Sequence, residues 1–255
     1  MNMDETSELT AEFSRNIPAP DEIVAKAISR GLSGQNGDRK YIKKNFSALV
    51  EKLEAEAYRI YLSEQKAAWK KAIRFYFDNN LKNTATYEQT VEHVGASFDV
   101  FDAFFLSVSQ SRKSRAGSTF EDIIKELFKR LDYPFDVQQV INGKPDFLMP
   151  GRAYYDKNAM ECIVFTAKRT LRERWRQIVT EGTKGLGFFL ATIDADVSEN
   201  NLDEMKRNKI YLVVPASLKN EIEHYKKAGN VISFEEFFEG YLDPAMKRWK
   251  KAGAI

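Results

Sequence analysis

Cysteine is all but missing from this chain: its 255 residues include one, Cys162. A lone thiol excludes an intramolecular disulfide framework and fits a reducing, cytoplasmic setting. Its neighbours, Glu161 on one side and Ile163-Val164-Phe165 on the other, predict a strand with a buried thiol and not a reactive one. Also missing is any apolar run of about 18 residues, the length a membrane helix needs. The N-terminus is acidic and polar, with no signal-peptide pattern. Neither an internal repeat nor a low-complexity linker is present. Excess charge of one sign is lacking as well, with 39 basic residues against 37 acidic and a net charge of +2. Such a chain is no general sponge for polyanions, so any nucleic-acid surface must concentrate its positive charge locally.

What is present is a globular composition. Hydrophobic residues make up 43% and aromatics 13%, enough for one large domain, or for one domain with a helical extension. The 30% of charged residues alternate with apolar ones, which argues against disorder. The first 20 or so residues, ending in Ile17-Pro18-Ala19-Pro20, are expected to form a loosely held arm. From Asp21 to about Gln110 apolar residues recur at helical spacing, as in Phe46, Leu49, Val50 and Leu53. After Gly117 the texture changes. Ser118 to Arg130 predicts a helix and Phe135 to Ile141 a strand. Asn142-Gly143 predicts a tight hairpin turn, and Asp146 to Met149 the returning strand. Strands are expected over Glu161–Lys168, Phe188–Ile193 and Ile210–Val214. Helices are expected over Leu171 to Gly182, Ser217 to Lys227, Ser233 to Tyr241 and Pro244 to Lys251. The expected division is an N-terminal helical region over residues 1–110, carrying the arm, dimerisation and DNA contacts, and an α/β core over 111–255, the two forming one structural unit.

Chemistry concentrates between Gln110 and Glu181. Asp146 opens one strand and Lys168 ends the next, 22 residues later. A carboxylate and an ammonium at adjacent strand ends suit phosphodiester hydrolysis. The acid holds a divalent metal, and metal and lysine together lower a water's pKa and balance the transition-state charge. Magnesium prefers hard oxygen ligands and needs only one or two protein carboxylates. The simplest form of this motif has an acid two residues before the lysine. Thr166 stands there, so a second carboxylate must come from elsewhere, and Glu181, 13 residues past Lys168 on an expected helix, is the best candidate.

The segments Ser111–Gly117, Lys144-Pro145-Asp146-Phe147-Leu148 and Ala167–Gln177 resemble the catalytic domains of the EcoRII, SsoII and PspGI group of PD-(D/E)XK restriction endonucleases. That resemblance implies a restriction-endonuclease-like α/β fold: a mixed sheet flanked by helices. It also implies Mg2+-dependent cleavage of double-stranded DNA at a short CC…GG site, before the first cytosine, with 5′ overhangs. A homodimer and a companion DNA methyltransferase belong to the same picture. By position, Asp146, Lys168 and Glu181 would be catalytic, Asp146 and Glu181 would hold the metal, and Glu121 would be a further acid. Ser118-x-x-Glu121 also reads as a capping box, and the two readings of Glu121 can coexist. Arg172-Glu173-Arg174 matches the base-reading triplet: arginine forks onto guanine O6 and N7, and a carboxylate accepts from cytosine N4. Away from such an Asp–Lys pair the same triplet would be an ordinary solvated face. Arg112, Lys113 and Arg115, in an expected polar turn, suit phosphate contacts or simple solvation. Gln110 matches a glutamine near the minor groove.

Relatives in this group swing a central base onto an aromatic ring. Tyr58, Tyr61, Trp69, Phe75 and Tyr76 are available here, although an aromatic stripe at helical spacing is ordinarily core. Two other functions fit the same residues: a structure-specific repair or junction nuclease, which would not need the triplet, and a non-catalytic DNA-binding regulator, which Thr166 keeps open.

Overall fold

The computed structural model describes residues 3–82, 84–141, 143–171 and 187–255. The chain sorts into two compact units, each made of two stretches: Met1–Ala27 with Glu56–Thr119, and Ile28–Ala55 with Phe120–Ile255. Residue 110, where the expected division lay, falls inside a helix.

The first unit is helical. It contains α1 (Met3–Arg15), most of α2 (Pro20–Gly31), the later part of α4 (Phe46–Asn80), α5 (Tyr87–Ala96) and the earlier part of α6 (Phe98–Arg130). The N-terminal residues are no loose arm. Leu9 and Phe13 lie four residues apart on α1 and are buried, as is Ile17 just beyond it, so the N-terminal segment is held by apolar contacts. Pro20 and the acidic Asp21 and Glu22 open α2, where a fixed φ and negative charge suit a helix N-terminus. The core of this unit pairs Phe13 edge-on with Phe104, and Trp69 stacks on Phe104, each at 5.2 Å between ring centroids.

Helix α6 runs unbroken through Gly117, where a turn was expected. One interior glycine disfavours a helix by only about 1 kcal/mol relative to alanine. No proline interrupts the run, and its buried side chains continue past the glycine as Phe120, Ile123, Ile124, Leu127 and Phe128.

The second unit carries α3 (Arg39–Lys44), the start of α4, the end of α6 and the sheet. Its later elements are β1 (Asp136–Val137), β2 (Phe147–Met149), α7 (Arg152–Asn158), β3 (Ile163–Ala167), β4 (Gly187–Ala191), α8 (Glu199–Arg207), β5 (Ile210–Val214), α9 (Ala216–Glu221), α10 (Glu223–Lys227), β6 (Val231–Ser233) and α11 (Phe234–Phe237). A π-helical turn, Phe238–Leu242, then leads into α12 (Asp243–Lys251). Among the described residues the six strands lie in the order β1-β2-β3-β4-β5-β6. The pairs β1/β2 and β2/β3 are antiparallel, and β3/β4, β4/β5 and β5/β6 are parallel. This is the mixed sheet flanked by helices that the sequence led us to expect.

Both faces of the sheet are covered, which suits β3, buried at every position and apolar at all but Thr166. One face joins Leu148, Val164, Leu190 and Leu212 to Leu202 and Met205 of α8 and to Tyr225 of α10. On the other, Phe128 of α6 lies 5.6 Å from Phe147 and 5.3 Å from Phe165, and Phe237 lies 4.7 Å from Phe189.

Several local details depart from expectation. Only Asp136 and Val137 of the expected strand over Phe135–Ile141 pair with β2, because Gln138 turns out of the ladder with φ 50°. Asn142 of the expected turn lies outside the described residues. The helix expected over Ser217–Lys227 is interrupted at Ile222, which is extended (ψ 113°). Helices α7 and α8 and strand β6 had no counterpart in the sequence reading. The helix expected from Leu171 lies, from residue 172 onward, outside the described residues.

Candidate active site

Strand β2 runs against β3, so the residue entering β2 lies beside the residues leaving β3. The register pairs Phe147 with Phe165, and Asp146 stands one step earlier. Its Oδ2 accepts from the backbone N of Ala167 at 2.8 Å and from Lys168 Nζ at 2.9 Å. Nζ lies 3.3 Å from Oδ1. The Asp146 side chain is 7% exposed and that of Lys168 37%. The carboxylate is thus desolvated but doubly satisfied, and the ammonium keeps one side open to solvent. The backbone of Lys168 is fixed too, since its N donates to Ala191 O at 2.9 Å and continues the parallel ladder onto β4.

Glu121 lies on α6 in the same unit and is half-buried. Burial raises its carboxyl above the ordinary glutamate range, and the negative charge of Asp146 raises it further. The Lys168 ammonium and a hydrogen bond with Gln138 pull in the other direction. Asp146 and Glu121 therefore share one electrostatic environment. The expected capping box at this point is absent: Ser118 is interior to α6, and its hydroxyl donates back to Ser114 O at 3.4 Å.

Among the described residues the two carboxylates repel one another in a partly buried space with no thiolate or imidazole in their hydrogen-bonding or charge environment, and carboxylate oxygens are the donors a hard divalent cation prefers. Among the described residues no cluster of three or more His, Cys, Asp or Glu side chains is poised for a metal. Glu181, the expected second acid, lies outside the described residues, as do Arg172, Glu173 and Arg174. Thr166, on β3, is 2% exposed, and its hydroxyl has no hydrogen-bond partner among the described residues. It supplies no charge at the position where the simplest motif carries an acid.

The remaining candidates belong to the first unit. Gln110, Arg112, Lys113 and Arg115 lie on α6, within a helix and not in a turn. Gln110 and Lys113 are exposed. Two of the three basic side chains have internal partners: Arg112 Nη2 donates to Gln65 Oε1 at 3.1 Å, and Arg115 Nη1 to Pro18 O at 2.7 Å. Of the aromatics, Tyr61 and Tyr76 are buried and Trp69 and Phe75 partly so, while Tyr58 is 51% exposed.

Two features near Asp146 and Lys168 had no signal in the sequence. Gln138 holds a left-handed φ without being glycine, donates its backbone N to Asp146 O at 3.1 Å and hydrogen-bonds to Glu121. Its one visible sequence property, a polar residue after Val137, is shared by many exposed positions. Glu54 hides within the apolar stripe of α4. It is 8% exposed, and its Oε2 accepts from Arg169 Nε at 3.4 Å, next to Lys168. Burial raises its pKa, and Arg169 counteracts part of that rise.

The chain is similar to the type II restriction enzyme SsoII of Shigella sonnei, with 27% identity over 94% of this chain and 82% of SsoII. It is 38% identical to the type II restriction enzyme EcoRII of Escherichia coli over 48% of this chain and 32% of EcoRII. The structure superimposes on metal-depleted Ecl18kI, solved in complex with uncleaved, modified DNA, with a TM-score of 0.82 and 25% identity, over 99% of this chain and 86% of that one. The family described as EcoRII C terminal matches residues 79–238, a span that contains Glu121, Asp146 and Lys168. The chain belongs to that EcoRII C-terminal family.

Proposed function

We infer that this chain is a type II restriction endonuclease that hydrolyses double-stranded DNA at a short CC…GG site with Mg2+, cutting before the first cytosine and leaving 5′ overhangs. The observation that carries this is the Asp146–Lys168 pair, 2.9 Å apart at the meeting of β2 and β3 with Glu121 in its field. It occurs in a chain whose relatives include type II restriction enzymes. Under this reading Asp146 and Glu181, with Glu121 nearby, hold the metal. A bound Mg2+ supplies Lewis acidity toward a phosphate oxygen and acidifies a water.

The chain's own groups do the rest. Lys168 Nζ, with one side open to solvent, orients the attacking water and balances the charge that develops on phosphorus. The water gives up a proton to solvent as its oxygen bonds to phosphorus, the P–O3′ bond breaks, and the departing oxygen takes a proton from solvent to become a 3′-hydroxyl. Arg172, Glu173 and Arg174 read the guanines and cytosines in the major groove. Gln110 and Lys113 face the DNA from α6, and Arg112 and Arg115 approach phosphates only if they exchange their present partners. Catalysis is thus assigned to the α/β unit, and DNA approach and dimerisation to the helical one. A companion methyltransferase protects the host's own sites.

A two-fold target is met by a two-fold dimer, each subunit cutting one strand. In support, α5 has no buried residue, and Tyr87, Val91 and Val94 on it, with Phe98 and Phe105 on α6, are exposed.

Incubation of a plasmid with the protein and Mg2+, followed by sequencing of the fragment ends, tests the whole reading. Discrete fragments that begin at CC…GG sites are expected. Asp146→Ala and Lys168→Ala should each lower cleavage by about 100–1000-fold or more while the variant still binds duplex DNA. Random nicking, or cutting confined to branched substrates, would identify a structure-specific nuclease. Site-specific binding without cleavage under any divalent metal would identify a regulator.

A further inference from the structure

Between the catalytic lysine and the start of the base-reading triplet lie three residues, Arg169, Thr170 and Leu171. The loop that leaves β4 grips this spacer at both ends. Thr192 Oγ1 donates to Arg169 O at 3.2 Å, and Asp194 Oδ2 accepts from Leu171 N at 2.8 Å. The two gripping residues are themselves fixed. Asp194 N donates to Thr192 Oγ1 at 3.0 Å, and Asp196 N to Asp194 Oδ1 at 3.0 Å. Tyr225 Oη donates to Asp194 O at 2.8 Å, and Thr192 N donates to Val213 O at 2.9 Å, which ties the loop to β5. Thr192 is fully buried and the Leu171 side chain is 1% exposed, so both ends of the grip lie in packed surroundings.

This bonding exceeds what a chain reversal after a strand requires. Lys168 N already continues the ladder to Ala191 O, and the parallel pairing of β3 with β4 would persist without the Thr192 hydroxyl or the Asp194 carboxylate. What these two side chains add is a fixed path from Lys168 to Leu171. The backbone therefore leaves Leu171 in a set position and direction relative to the Asp146–Lys168 pair. A restriction enzyme discriminates when correct base contacts are converted into alignment of the scissile phosphate, and misplacement by a fraction of an ångström weakens that conversion.

We propose that Thr192 and Asp194 are positioning residues that set the register between sequence reading and cutting, a role that rests on the proposed reading of Arg172-Glu173-Arg174. Neither side chain touches substrate. Their loss should lower turnover on the correct site, where alignment is exploited, and leave turnover on an incorrect site nearly unchanged.

The test uses the full chain with Mg2+ and two duplex oligonucleotides, one with a CC…GG site and one with a single substituted base. The parent, Thr192→Val, Asp194→Ala and Asp194→Asn are compared. Thr192→Val keeps the volume and removes the hydroxyl, and Asp194→Asn keeps an oxygen that can accept from Leu171 N. Thr192→Val and Asp194→Ala should lose about tenfold in kcat on the correct duplex, with the substituted duplex unaffected, and Asp194→Asn should recover much of the loss. A merely structural role predicts equal loss on both duplexes in proportion to the folded fraction, and that result overturns the proposal. So does discrimination equal to the parent's in both variants. A parent that cuts without preferring the CC…GG duplex removes the triplet reading and this inference with it, whereas a discriminating parent with unaffected variants removes the inference alone.

Discussion

At the residue scale, Glu54 and Cys162 show what burial does to ionisable groups with different partners. Cys162 is completely buried, and desolvation pushes its thiol up to about 12, so the lone cysteine is a packing residue at neutral pH. Glu54 is buried beside a cation, and desolvation still wins: its pKa stays above the ordinary 4.5. The fold therefore disfavours the carboxylate relative to the unfolded chain. The stability this position contributes is present below the unfolded pKa and is lost as pH rises through the folded value. Glu54→Gln removes the titration and keeps an acceptor for Arg169. The Tm of the variant minus that of the parent should become more positive as pH rises above about 4.5. A domain of this size moves about 2–4 °C for each kcal/mol, so calorimetric melts across that range suffice. A difference that stays constant with pH would remove desolvation of Glu54 as the cause.

At the element scale, helix α6 carries the clearest prediction. A Cβ added at Gly117 meets nothing within 4 Å, and the residue is interior to a helix of 33 residues. Gly117→Ala should stabilise the protein by about 0.5–1 kcal/mol, read as a higher denaturation midpoint with an unchanged slope. The same glycine shows where sequence patterns mislead. Gly117 after a polar run resembles a loop, and Ser118-x-x-Glu121 resembles a cap, because local spacing does not reveal that Phe120 to Phe128 share a helix with Phe104. Strands β3, β4 and β5 were legible because they are apolar runs bounded by polar residues. Strand β6 was not, since three residues are too few to show a period. Of the site, Glu121 came only from the family resemblance, whereas Asp146 and Lys168 could be read from their placement along the chain. Gln138 could not, because a left-handed φ at an exposed glutamine leaves no trace in composition.

At the scale of the whole molecule, the question is association. Helix α5 makes a capping box at Thr86 and Gln89 yet buries no residue, and an isolated helix of ten residues is marginal in water. Tyr87, Val91 and Val94 follow one another on α5 at spacings of four and three, the repeat that lets one helix seam pack on another, and Phe98 opens α6 just beyond. In the proposed dimer a second copy would supply such a seam and also a second Asp146–Lys168 pair for the other DNA strand. Sedimentation velocity should show a dimer for the parent and a monomer for Phe98→Glu/Phe105→Glu, with both folded by circular dichroism. A parent that sediments as a monomer with and without DNA would overturn the two-fold arrangement.

The sheet changes polarity at β3, antiparallel to β2 on one side and parallel to β4 on the other. The entry to β2, the exit of β3 and the exit of β4 therefore gather at one rim, brought there by cross-strand ladders and not by the covalent path. Lengthening the connection that holds α7, or the loop from Gln138 to Asp146, leaves Asp146 facing Lys168. The interval of 22 residues between them therefore has room to lengthen. The interval from Lys168 to Leu171, bonded at both ends to the exit of β4, has no such freedom.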